Sequence, residues 1–143
     1  MGTSVPSHTS TIVDSGNEPF LTTTIAQLAR AIVSVLQKPA ETANKYLLVT
    51  SFKTTQNQIL DVAERATGQK FEVTKVDADA WKKEGIEMLQ KGDFRAFGRF
   101  WGWFLWKDGE GHGTPGNGIT VGNELLDLLQ ENMELVIKDV AGL

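Results

Sequence analysis

The segment Phe94-Arg95-Ala96-Phe97-Gly98-Arg99-Phe100-Trp101-Gly102-Trp103-Phe104-Leu105-Trp106 concentrates most of the aromatic residues of a 143-residue chain. Wound as a helix, it places Phe94, Phe97, Trp101, Phe104 and Leu105 on one face, while Phe100, Trp103 and Trp106 project elsewhere. A core needs only one face of a helix. The remaining rings must cover a second surface, and three kinds are open to them: another packing layer, an apolar ligand cleft, or a protein interface. On the cleft reading, Phe97, Phe100, Trp101, Trp103, Phe104 and Trp106 form the wall. Arg95 and Arg99 stand one helical turn apart, either solvated or facing an anionic group of a ligand, and Arg99 joins the candidate ligand-binding set.

The rest of the chain is punctuated clearly. Residues 1–10 carry little apolar content and are expected as a disordered lead-in, with one compact domain over 11–143 and a short strand at Ser10–Asp14. Ile25, Leu28, Ala29, Ile32, Val33 and Leu36 recur at helical spacing, with Thr24-x-x-Gln27 as the capping box and Pro39 as the stop. Tyr46-Leu47-Leu48-Val49-Thr50 predicts a buried strand. Thr55-x-x-Gln58 caps a second helix that ends at Gly68, and Phe71-Glu72-Val73-Thr74 alternates as a half-buried strand. Asp77 and Asp79 offer caps for a third helix, which Gly92-Asp93 breaks. The spacing of Leu125, Leu128, Leu129, Val136 and Val140 predicts a helix over Asn123–Val140.

Composition excludes several functions. The formal charge of −4 and pI near 5.2 leave no basic footprint for a nucleic-acid backbone. There is no cysteine, so thiolate metal sites and cysteine nucleophiles are absent. His8 and His112 alone cannot make a multi-histidine metal site, and no metal is expected. Acidic pairs such as Glu84 and Glu87, or Asp127 and Glu131, fit solvated helix faces. No apolar run reaches the length of a membrane span, and the first twenty residues lack a secretory pattern, so a cytoplasmic chain is expected.

The stretch "GEGHGTPGNG" contains G-x-G-x-x-G at Gly111, Gly113 and Gly116. That fingerprint binds a pyrophosphate only in a tight turn from a strand into a helix. No strand is evident before it, Pro115 interrupts it, and the next helix is predicted only from Asn123. The loop therefore reads as a surface loop or lid, in which His112 is the candidate acid or base.

The strings "GNEPFLTTTIAQLARAIVSVL", "ETANKYLLVTSFKTTQNQILDVAERATGQKFEV", "KGDF" and "NELLDLLQENMELVIKDV" resemble the C-terminal part of fungal NmrA-like, isoflavone-reductase-type proteins. These are atypical short-chain dehydrogenase/reductases in which a Rossmann domain precedes a smaller substrate-binding region. The resemblance covers almost everything after about residue 10. It implies the second part only: the family's cofactor fingerprint and catalytic lysine lie upstream of it and have no counterpart here. The family typically carries a Gly and then a Pro between its last two short helices; Asp127 and Leu129 stand there instead, so the two helices are expected to fuse.

The expected fold is α+β, a small sheet from the Tyr46 and Phe71 segments with about five helices around it and no complete Rossmann domain. The resemblance implies a truncated module of fungal secondary metabolism whose apolar pocket binds a hydrophobic small molecule. No cofactor is expected, NADP belonging to the intact members of the family. Two alternatives stand beside it: a cofactor-independent isomerase or cyclase acting on that molecule, and a regulatory module that binds protein. A surface that packed against a Rossmann domain would need covering, which leads to the expectation of a homodimer.

Overall fold

The computed structural model describes residues 2–110, 112–116, 119 and 121–143. The fold is α+β: among the described residues there are a three-stranded sheet, a two-stranded sheet and six helices. The chain divides into two compact units, one formed by Met1–Phe20, Thr54–Thr114 and Met133–Leu143, the other by Leu21–Lys53 and Pro115–Asn132.

In the first unit, β1 (Thr3–Ser4) pairs antiparallel with β2 (Thr9–Val13), and β2 pairs in parallel with β5 (Glu72–Val76), from Thr9 opposite Glu72 to Val13 opposite Val76. The expected lead-in is thus corrected: residues 3–10 include a strand pair, and Ser10 is buried. The strand expected at Ser10–Asp14 is present as β2. Because β1 reaches only the first half of β2, the side chain of Gln56 completes the other edge: its Oε1 accepts from Val13 N at 2.9 Å and its Nε2 donates to Thr11 O at 2.8 Å. A buried amide here substitutes for a neighbouring strand's backbone. β5 itself is exposed apart from its last residue, so the predicted half-buried alternation is absent. Phe71, just before it, enters a core with Ala63, Ala66 and Ile137.

Local signals hold where partners lie within a few residues. α3 (Gln56–Thr67) has the reciprocal capping box of Thr55 and Gln58, and its C-cap Gly68 is left-handed at φ +67. α4 (Ala78–Gln90) is capped by Asp77, and Asp14 Oδ1 accepts a second bond from its first turn, from Ala78 N at 2.7 Å. α4 packs on α5 (Ala96–Trp106) through two glycines. A Cβ on Gly102 would come within 2.3 Å of the Trp81 ring, and one on Gly85 within 2.9 Å of Arg99 Cβ. Val13, Phe20, Ala78, Trp81 and Trp106 form the core beneath.

The second unit departs further from expectation. β3 (Phe20–Thr22) and β4 (Phe52–Thr54), at its boundaries, pair as the two-stranded sheet. Tyr46–Thr50 is no strand: it makes one isolated bridge, Leu48 to Val121, and Tyr46 is 99% exposed. Its backbone is held by Asn123, which accepts from Thr50 N and donates to Thr50 O. The sheet expected from the Tyr46 segment is instead built by β1, β2 and β5. α1 (Ile25–Gln37) starts at Thr24 as predicted, and α2 (Pro39–Thr42) begins on the proline that stops it. The apolar stripe of α1 faces outward, with Ile25 87% and Leu36 75% exposed, whereas Gln27 and Ala31 are buried.

The fused helix over Asn123–Val140 is also absent. Residues 123–127 form turns, and α6 (Met133–Ala141) begins only after them. Asp127 has φ +52, a left-handed conformation that interrupts a helix and that Asp tolerates better than most residues. The position therefore has a backbone suited to glycine, the residue that the family resemblance implies near this place.

No helix among the described residues is long and apolar enough to cross a membrane.

Candidate functional site: the aromatic groove of α5

The arrangement of α5 inverts the expected faces. Its contact face is made by Ala96, Gly102 and Trp106, all buried, while Phe94, Phe97, Trp101 and Phe104 are exposed by 71, 53, 55 and 41%. The cause is the close approach to α4: Gly102 lies under Trp81, which leaves Phe97, Trp101 and Phe104 exposed, while Phe100 and Trp103 stay half-buried along the flank of α4.

There Phe97, Phe100, Trp101, Trp103 and Phe104, with Lys82 of α4, line an open apolar groove of about 330 Å³. Phe94 and Phe97 stack with centroids 6.4 Å apart; Phe97 meets Phe100, and Trp101 meets Phe104, edge to face. Such rings offer large flat surfaces that lose little freedom on binding a partner. Trp103 is fixed on two sides. Its Nε1 donates to Asp79 Oδ1 at 3.0 Å, and Lys82 Nζ sits 3.5 Å from its ring centre. Lys107 Nζ also donates to Asp79 Oδ1, and these two donors, the ammonium first, hold the Asp79 carboxyl below its usual range.

Two expected wall residues lie elsewhere. Trp106 belongs to the core with Val13 and Phe20, and its buried Nε1 has no hydrogen-bond partner among the described residues. Arg99 pairs with Glu84 at 3.0 Å and lies over the Trp81 ring at 4.8 Å. Arg95 is taken by Asp93, whose carboxyl the Arg95 side chain and backbone N–H hold down at about 2. His112 stacks on Phe104, centroids 4.7 Å apart and planes 6° from parallel. It thus meets the rings of the groove from the following loop. Lys82 was missed from sequence, since nothing in Trp81-Lys82-Lys83 tells which lysine faces α5. No group of acidic or histidine residues among the described ones could hold a metal ion.

No family model matches the chain. It is 37% identical over 92 residues to "Oxidoreductase poxI" of Penicillium oxalicum, a match covering 64% of this chain and 29% of that protein. It is 29% identical over 140 residues to "Oxidoreductase aprR" of Aspergillus flavus, covering 98% of this chain and 47% of that one. The chain therefore spans less than half the length of these curated relatives. Two solved structures align over 92% of the chain: one described as AtPrR2 in apo form, with TM-score 0.65, 20% identity and 44% of its chain covered, and an isoflavone reductase, with 0.68, 16% and 43%. The chain has the fold of the matching part of isoflavone reductase, a little under half of that chain. Its resemblance to proteins of the isoflavone-reductase type is borne out, and by sequence it is related to fungal oxidoreductases.

The isoflavone reductase type implies NADP, so the glycine-rich loop is the place to test for a fit. What precedes it is α5, a helix, and no helix follows before α6 at Met133 among the described residues. Gly111 lies outside the described residues. A Cβ on Gly113 would meet Phe20 Cβ at 2.4 Å, so this glycine makes room for packing against Phe20. Among the described residues no helix N-terminus stands at the loop to receive a pyrophosphate, and the described part of the loop does not fit that group.

Proposed function

We propose that the chain acts as a substrate-binding module of the isoflavone-reductase type, its α5 groove taking a hydrophobic small metabolite without an NADP site of its own. The observation that carries this is the open apolar groove lined by the exposed rings of Phe97, Trp101 and Phe104 and the half-buried rings of Phe100 and Trp103. Relatedness to fungal oxidoreductases supports a small-molecule ligand, for which we propose a metabolite of fungal secondary metabolism. A redox-neutral isomerisation or cyclisation of the bound molecule is the second reading. It is favoured by His112, a titratable ring stacked on Phe104 beside the groove.

A neutral planar probe, naphthamide, tests the binding reading by calorimetric titration. Saturable binding is expected, and Trp101→Ala weakens it about tenfold, equivalent to roughly 1.4 kcal/mol of lost ring contact. Trp101 is 55% exposed, so the melting temperature of that variant stays close to that of the parent chain. Absence of binding, or equal binding by the variant, contradicts the reading.

A further inference from the structure

We infer that Lys82 is the anion-recognising residue of the α5 groove, and that the ligand class is a planar aromatic carboxylate; this rests on the groove being a binding site. The neighbouring cations are already engaged. Lys107 binds Asp79 at 3.0 Å and Glu110 at 3.3 Å, Arg99 binds Glu84, and Arg95 binds Asp93. Lys82 lines the groove half-buried, and among the described residues no carboxylate lies within hydrogen-bonding distance of its ammonium.

What it has is a ring. Lys82 Nζ lies 3.5 Å from the centre of Trp103, a contact that satisfies the ammonium electrostatically without occupying its three donors with an oxygen. Lys82 acts on the Asp79 carboxyl only through space, and the same Asp79 oxygen already accepts from Trp103 Nε1 and Lys107 Nζ. The ammonium is therefore held at the groove by the tryptophan, and shielded from bulk water on that side. An anion reaching it meets a partly desolvated charge, where attraction exceeds that in open water.

The rest of the groove sets the shape of the ligand's other end. The apolar faces of Phe97, Phe100, Trp101 and Phe104 accept flat rings, as Phe104 does with His112 at 4.7 Å and near-parallel planes. A molecule with a flat apolar body and a carboxylate at its edge uses both features at once. An aliphatic acid uses only the second, and a neutral aromatic only the first.

The test compares naphthoate with naphthamide on the whole chain at low ionic strength, by isothermal titration. Naphthoate binds about tenfold more tightly than the amide, a preference that weakens as salt screens the pair. Lys82→Met brings the two affinities within about twofold of each other, and Lys82→Arg restores a preference for the acid. Thermal melts confirm that both variants are folded, and the arginine variant keeps the comparison meaningful if the methionine one is unstable. Equal affinity of the unaltered chain for acid and amide overturns the assignment while leaving the groove as an apolar site. A preference that survives Lys82→Met overturns it too. Binding of neither probe removes the groove reading along with it.

Discussion

Trp81→Ala lowers the stability of the chain by about 3–5 kcal/mol, the cost of deleting a fully packed aromatic side chain and leaving a cavity. Trp81 is 6% exposed and packs in one cluster with Val13, Phe20, Ala78 and Trp106, so its ring joins the sheet, α4 and α5. Its contact with Gly102 makes the loss diagnostic. An alanine at Gly102 would place Cβ 2.3 Å from the Trp81 ring, a clash costing roughly 1–3 kcal/mol in the unaltered chain. With Trp81 already alanine, the same Gly102→Ala change is close to neutral, because the cavity accepts the methyl group. Urea denaturation followed by far-ultraviolet circular dichroism measures the cycle. Additive effects of the two substitutions would contradict the packing of α4 on α5 described above.

Glu131→Gln is expected to destabilise the chain by about 1–3 kcal/mol at neutral pH and much less in acid. The Glu131 side chain is only 12% exposed, and it accepts from Ser51 Oγ at 2.6 Å, Thr24 Oγ1 at 2.8 Å and Arg30 at 3.1 Å. Burial pushes its pKa upward, and the three donors outweigh that effect, leaving the carboxyl below its usual range. A carboxyl depressed in the folded state adds stability that is complete above the unfolded value near pH ~4.3 and disappears as the pH falls through the folded value. Melting temperatures of the parent and the glutamine variant should therefore differ at pH 7 and converge in acid. Asp93, Asp79, Glu64 and Glu134 are also depressed, so both proteins lose stability in acid, and the difference between them isolates Glu131. A gap that stays constant with pH would place the contribution of Glu131 in its shape rather than its charge.

That Glu131 is a half-buried hub, although its spacing from Asp127 suggested a solvated helix face, shows where legibility stops. Helix starts at Thr24, Thr55 and Asp77 were readable, because the side chain that caps and the N–H it accepts from are three residues apart. Which face of a helix is inward depends on partners distant in sequence. For α1 and α5 the outcome reversed the apolar pattern: Gln27 and Ala31 turn inward on one, and Ala96 and Gly102 on the other. The small residues Ala96 and Gly102 within the aromatic helix were the available hint that its narrow side makes the contact.

The strand expected at Tyr46–Thr50 failed for the same kind of reason. Its β propensity is real, but a strand exists only with a ladder partner, and the described residues supply a single bridge at Leu48. The candidate site was legible as a set of rings and not as a geometry. Phe97, Phe100, Trp101, Trp103 and Phe104 come together as one surface, Trp106 is buried away from it, and Lys82 enters from α4. Only the packing of α4 on α5 brings that lysine to the aromatic helix.

The most direct test of a binding module without its own cofactor site is titration of the purified chain with NADPH, reading quenching of tryptophan emission and energy transfer to the nicotinamide. Trp101 and Trp103 line the groove and report on it. The account predicts no saturable change up to millimolar NADPH. Saturable binding at micromolar concentrations would contradict it, and would return the glycine-rich loop to consideration as a phosphate site.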